Sequence, residues 1–375
     1  MRHFFSACTV LLFFHPAAFA QIHTQPNAPG TQRPTLLQSA NGVPQIDITT
    51  PSAAGISRNQ FGQFDVQTRG VIVNNGRTAS STQLGGWVAA NPWLAGGSAT
   101  VILHEVQSVA PSLLNGPIEV AGNKAQFILA NPAGIQCNGC AFIHIPQLQL
   151  VTGTPQFTSG QLSGFTLGSG SIDISGKGMD ASQVDLAELI SRATRINADL
   201  WAKSVRLTNA ANPGTPAATT DPAPFAVDIS ADARLVAGKI WLIGTGDGLG
   251  MRNQGSIAAM EGLILTADGR IENSGSIGAG QVQLQAAALN NSGTISAQDS
   301  LTIATSARLD NRGSIGAKND LTITTSAQID NQGSIGAGQV QLQAATLNNS
   351  GTISAQDSLY EHCTFSTVLF EISEW

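Results

Sequence analysis

Over the last third of the chain, apolar and polar residues alternate one by one, as in Val282-Gln283-Leu284-Gln285 and Leu301-Thr302-Ile303. A period of two builds strands with one inward face. The runs are short and are separated by Asn-Asn-Ser-Gly, Asn-Arg-Gly or Asn-Gln-Gly, residues that supply the positive-φ positions of sharp bends. Gly-Ser-Ile or Gly-Thr-Ile recurs at Gly255, Gly275, Gly293, Gly313, Gly333 and Gly351, in steps of 20, 18, 20, 20 and 18 residues. On a longer scale, Ser276 to Leu301 returns at Ser334 to Leu359 with one change, Ala288 to Thr346, which is a duplication over 58 residues. A repeat of this size made of short strands and tight turns cannot close its own core, so successive copies must stack. The expected fold is all-β, a right-handed parallel β-helix with small extra-helical hairpins and loops. Leucine-rich repeats share the period, but Leu-x-x-Leu-x-Leu is missing.

Upstream, residues 21 to 250 are less regular but still read as strands and turns, for example Val71-Ile72-Val73-Asn74-Asn75-Gly76 and Ile172-Asp173-Ile174-Ser175-Gly176. Between Asp180 and Ala202, Leu186, Leu189, Ile190 and Ala193 have helical spacing, although the context favours strand. Ala211 to Pro224 is proline-rich and must loop outward, because proline cannot sit inside a sheet ladder. The repeat breaks after Leu359, where Tyr360-Glu361-His362-Cys363 replaces the Thr-Ile of the first copy. Residues 360–375 read as an out-of-frame tail of a truncated product, in which Cys363 has no evolved role.

The first twenty residues have a positive start, an apolar stretch through Val10 to Phe14 and the small-x-small close Ala18-Phe19-Ala20 before Gln21. This is the pattern of a secretory signal peptide cleaved to leave Gln21 first. Cys8 lies too early to carry a lipid, and no later segment reaches the roughly 20 apolar residues of a membrane helix. The expected segments are therefore 1–20 signal peptide, 21–254 an irregular N-terminal domain, 255–359 repeats and 360–375 the tail.

Charged residues make up 11% of the chain, against about 25% in an average globular protein. The net charge of -6, with no basic stripe, argues against nucleic acid as a partner. In an exported chain the close pair Cys137 and Cys140 can oxidise to a small staple. Two alternatives stand beside it: a redox pair, which wants a βαβ context, and a zinc site, for which nearby His144 supplies too few ligands. The corner asparagines fit stacked ladders better than a ligand set, and the Gly-Gly-x-Gly-x-Asp of calcium-binding repeats does not recur. No cofactor or metal is expected.

From Gln21 to Ile257 the sequence resembles, in nearly collinear order, the secretion domain of filamentous haemagglutinins and contact-dependent growth inhibition exoproteins. Asn59-Gln60-Phe61, Phe64-Asp65-Val66 and Val73-Asn74-Asn75 look like the opening coil of that family. Asn91-Pro92-Trp93-Leu94 stands where the family has Asn-Pro-Asn-Leu, and Asn131-Pro132-Ala133-Gly134-Ile135 where it has Asn-Pro-Asn-Gly-Ile. Cys137 to Ile143, Met179 to Ser182, Ala237 to Ile240 and Ile243 to Thr245 follow in family order. Trp93 and Ala133 replace family asparagines, but the turns should survive, because the first Asn caps and proline fixes φ.

The resemblance implies a two-partner secretion exoprotein, carried unfolded into the periplasm, captured by an outer-membrane β-barrel transporter and folded outside the cell. The residues it singles out are Asn91, Pro92, Leu94, Asn131, Pro132, Gly134 and Ile135, either as structural turns or as direct transporter contacts. The leading expectation is a non-enzymatic, haemagglutinin-like surface adhesin with a receptor on a host or neighbouring cell. The second is the stick of a growth-inhibition toxin whose active end lies beyond residue 375. The third, a β-helical polysaccharide lyase, would need clustered aspartates, whereas Asp173, Asp180, Asp185 and Asp228 are scattered.

Overall fold

The computed structural model describes residues 22–210, 225–246 and 249–368, the last six by their backbone alone. The signal-peptide residues Ala18, Ala20 and Gln21 and the proline-rich excursion lie outside the described residues. The chain winds into a parallel β-helix, with strands stacked in three columns. One column carries Val71, Ile118 and Phe142 side by side and ends in an isoleucine ladder. Ile257, Ile277, Ile295, Ile315, Ile335 and Ile353, the third residues of the Gly-Ser/Thr-Ile signature, stack in register there. All six are buried, as the inward parity of an alternating strand requires.

The preceding glycines explain their own recurrence. A methyl group on Gly275, Gly293, Gly313, Gly333 or Gly351 would collide with the carbonyl oxygen of the glycine one turn earlier. Only glycine lets consecutive coils approach this closely at the corner.

A second column changes character along the axis. Leu114, Cys137, Ile174, Ile196 and Ile229 occupy it first. Asn253, Asn273, Asn291, Asn311, Asn331 and Asn349 follow in the same register. These asparagines are buried, and each Nδ2 from Asn253 to Asn331 donates to the Oδ1 of the next at 2.7–2.8 Å. Each also donates to carbonyls at its corner, such as Gly313 and Ser334 for Asn311. A buried amide is acceptable because its partners repeat every turn.

Strands Leu186–Ser191 and Thr194–Ile196 occupy the region whose spacing looked helical. Leu189 points into the core, while Ile190 points outward under a hairpin, so two apolar faces had mimicked one helical stripe. That hairpin, Gly153–Thr158 with Gln161–Leu167, is antiparallel and covers outward-facing Leu103, Ile128 and Val151. A smaller one, Ser80–Thr82 with Gly86–Val88, lies over Ile72 and Ala121. At the N-terminal end, antiparallel pairs Ile22–Thr24 with Ile56–Phe64 and Thr35–Gln38 with Pro44–Asp47 close the helix. A blunt antiparallel end manages an otherwise open sheet edge.

At the other end, strand Thr352–Val368 keeps parallel register with Ser334–Asn349 beyond the point where the repeat sequence stops. Ladder bonds run through backbone groups, so pairing does not need the side chains to repeat.

Candidate functional site: two asparagine-capped turns

The two Asn-Pro turns are built alike. Asn91 Oδ1 accepts from the Trp93 amide at 3.0 Å, and its Nδ2 donates to the carbonyls of Ile48 and Asn74. Pro92 opens a 3-10 turn, Pro92–Leu94, where its fixed φ suits the first helical position. Leu94 at the close of the turn is fully buried. In the second turn, Asn131 Oδ1 accepts from the Ala133 amide at 3.0 Å, and Nδ2 reaches Ala110 O and Ser112 Oγ. Gly134, at φ 128°, takes a left-handed conformation that a side chain would strain. Gly170 crosses so close behind it that a Cβ there would strike the Gly134 backbone. Ile135 then re-enters the core, paired with Ser112 and Ile172.

Both turns stand without the second asparagine of the family pattern, because each cap uses only the backbone amide of Trp93 or Ala133. The folded turns also hide most of what the sequence singled out. Asn91, Leu94, Asn131 and Ile135 are buried, and what faces outward is Pro92 and Trp93, with Pro132 and Ala133 partly covered. The buried asparagines Asn59, Asn74 and Asn75 perform the same capping work in neighbouring coils, for instance through Ala99 N to Asn75 Oδ1 at 2.8 Å.

Cys137 and Cys140 are joined as a disulfide across the corner that follows the second turn, with Gly139 at φ 86° between them. A disulfide sulfur has no proton, so the 3.2 Å approach of Cys137 Sγ to the Gly178 carbonyl is a contact and not a hydrogen bond. His144 is held by Val120 O, and among the described residues no group of three or more His, Cys, Asp or Glu could hold a metal ion. Three of the scattered aspartates sit in ion pairs, Asp173 with Arg195, Asp185 with Lys203 and Asp228 with Arg252, while Asp180 accepts from the amide and hydroxyl of Ser182.

One core residue escaped the sequence reading. His104 is fully buried between Phe61, Phe64 and Phe127, with ring centroids 4.8–5.1 Å apart. Among the described residues neither ring nitrogen has a hydrogen-bond partner. Burial alone pushes its pKa down from 6.5 to about 3, so the imidazole is neutral. The parity of Ile102, His104 and Val106 in one alternating strand was the available signal.

Residues 20–277 match the family described as the TPS secretion domain, and residues 277–333 and 335–359 match the haemagglutinin repeat. The chain belongs to the two-partner secretion domain family. A relative named toxin CdiA, from Yersinia pestis, is 48% identical over 275 residues, covering 71% of this chain and 8% of that protein. A tRNA nuclease, CdiA-2 of Burkholderia pseudomallei, is 37% identical over 265 residues, covering 68% of this chain and again 8% of the relative. The secretion domain and its repeats thus span a small part of the proteins they match. Among solved structures, a filamentous haemagglutinin secretion domain superposes with a TM-score of 0.54 at 22% identity, covering 91% of this chain and 99% of that one. The shared fold is the β-helix. No helix among the described residues is long and apolar enough to cross a membrane.

Proposed function

We propose that this secretion domain directs its own chain through a cognate outer-membrane β-barrel transporter, and that the transporter reads the two Asn-Pro turns before they fold. The observation that carries this reading is burial: Asn91 and Asn131 spend their side chains on caps inside the finished helix, where no partner can reach them. In this reading residues 1–20 bring the chain to the periplasm and are cleaved between Ala20 and Gln21. Residues 21–254 then engage the transporter, and 255–359 follow as stalk. This region takes no catalytic part.

The test is capture of the chain by the isolated periplasmic domains of the transporter. Urea-unfolded chain diluted onto them is expected to bind and refolded chain to pass through, while Asn131→Ala lowers both capture and release into the medium. Equal capture of folded chain, with normal release of Asn131→Ala, overturns the reading.

Outside the cell the solenoid would serve as a haemagglutinin-like adhesive stalk for a host or neighbouring-cell receptor. A second reading, the stick of a contact-dependent toxin, draws on the CdiA relatives, two of which share 37% and 48% identity. The downstream DNA, read in the frame of Leu359, separates them: a toxin module after any further repeats supports the second, and repeats that end without one support the first.

A further inference from the structure

A groove of about 770 Å³ opens on one outer face, where the secretion domain meets the first repeats. Its floor is made by a missing side chain. Lys239, Gly262 and Gln281 are consecutive outward positions of one register column, and Gly262 leaves a gap between its two neighbours. The adjacent outward column holds Trp241, Ile264 and Gln283 in the same three coils. Trp241 is half-buried, with the Arg206 guanidinium 5.3 Å from its ring, and Ile264 is 37% exposed. The groove therefore has an aromatic and aliphatic strip along one side.

The other side is polar and already arranged. Asp299 accepts from the Gln281 amide at 3.0 Å and from the Asn319 amide at 2.8 Å. These two bonds hold its carboxyl below the ordinary carboxylate range, so it stays an acceptor at neutral pH. The Lys239 ammonium is neutralised by Glu261 at 3.1 Å. The remaining charge in the groove is negative, which disfavours sulfated or carboxylated ligands.

We propose that this groove binds an uncharged hexopyranoside, with its C–H face against Trp241 and Ile264 and its hydroxyls bonded to Asp299, Gln281 and Gln283. A pyranose ring has that same division between an apolar face and a rim of donors and acceptors. The volume falls within the range of small-molecule sites, which pair apolar walls with a few placed polar groups. The duplication supplies an internal control. Gln339, Gln341 and Asp357 repeat the polar half, but opposite them stand Asp320 and Thr322 in place of Gly262 and Ile264. The second copy thus lacks both gap and apolar strip.

The proposal gives the adhesive reading a ligand class and rests on it for its biological use. The whole chain is screened against an array of neutral oligosaccharides and, by saturation-transfer NMR, against methyl glycosides of glucose, galactose, mannose and N-acetylglucosamine. Gly262→Leu fills the gap without strain, since a Cβ there meets nothing closer than 3.9 Å. At least one sugar is expected to bind, at least tenfold more weakly to Gly262→Leu and unchanged to Gln339→Ala. No binding across the panel, or binding indifferent to Gly262→Leu, overturns the proposal. Attachment of chain-coated beads to cells is scored separately: attachment without sugar binding refutes the groove alone, and sugar binding without attachment refutes the adhesive reading alone.

Discussion

His104 makes the acid stability of the N-terminal coils predictable. Its folded pKa of about 3 lies below the ordinary 6.5, so the unfolded chain binds the extra proton. For a base with a depressed pKa, stability is complete above pH 6.5 and falls as the pH drops from there toward 3. At about 1.4 kcal/mol per pH unit, the imidazole costs the fold roughly 2.7 kcal/mol by pH 4.5. Other groups also respond to acid, Asp199 beside Arg234 and Asp299 beside Gln281 and Asn319 among them, so the wild-type curve alone does not isolate His104. The comparison with His104→Leu isolates the term. Leucine is close in volume and leaves no unsatisfied ring nitrogens in the phenylalanine cage, which itself stabilises by about 1–3 kcal/mol at pH 7.5. Urea unfolding of both chains at pH 7.5 and 4.5 reads the difference. The advantage of His104→Leu should widen by roughly 2.7 kcal/mol on acidification. Parallel losses in the two chains would refute the account, since His104 would then be solvated or partnered.

Two other perturbations probe the solenoid. Asn311→Ala removes the Nδ2 bonds to Asn331 and Ser334 and takes the ladder acceptor from Asn291, which keeps only its longer bonds to the Gly293 and Ser314 carbonyls, so it should cost about 3 kcal/mol in urea unfolding. A loss below about 0.5 kcal/mol would mean that the ladder is not structural. Reducing the disulfide should cost no more than roughly 2 kcal/mol, the chain entropy of a loop of sequence separation 3. Urea midpoints with and without a thiol reductant check this, and a much larger loss would place Cys137–Cys140 at the centre of the fold's stability.

The repeats were legible because their sequence states the same rule every turn: glycine where coils touch, isoleucine inside, asparagine at the corner. The strand at Leu186–Ser191 was harder, since Ile190 is apolar for the sake of a hairpin that arrives from elsewhere in the chain. Asn91 and Asn131 were found by resemblance, but which face they present depends on carbonyls of Ile48 and Ala110, remote in sequence. His104 and the Trp241 groove were missed for a related reason. Parity gives the direction of a side chain, inward or outward, while the cage of Phe61, Phe64 and Phe127 and the gap at Gly262 arise only from stacking.

The ladder of buried asparagines has a mechanical side. Its amide bonds, like the strand pairing between coils, run along the axis of the helix, while the chain itself runs across it. A tensile load along that axis therefore opens the bonds of one coil at a time instead of shearing many at once. Each coil that yields exchanges a rise of about 4.8 Å for roughly 60 Å of extended chain. Under such a load the solenoid would lengthen in steps and limit the force it transmits along its axis.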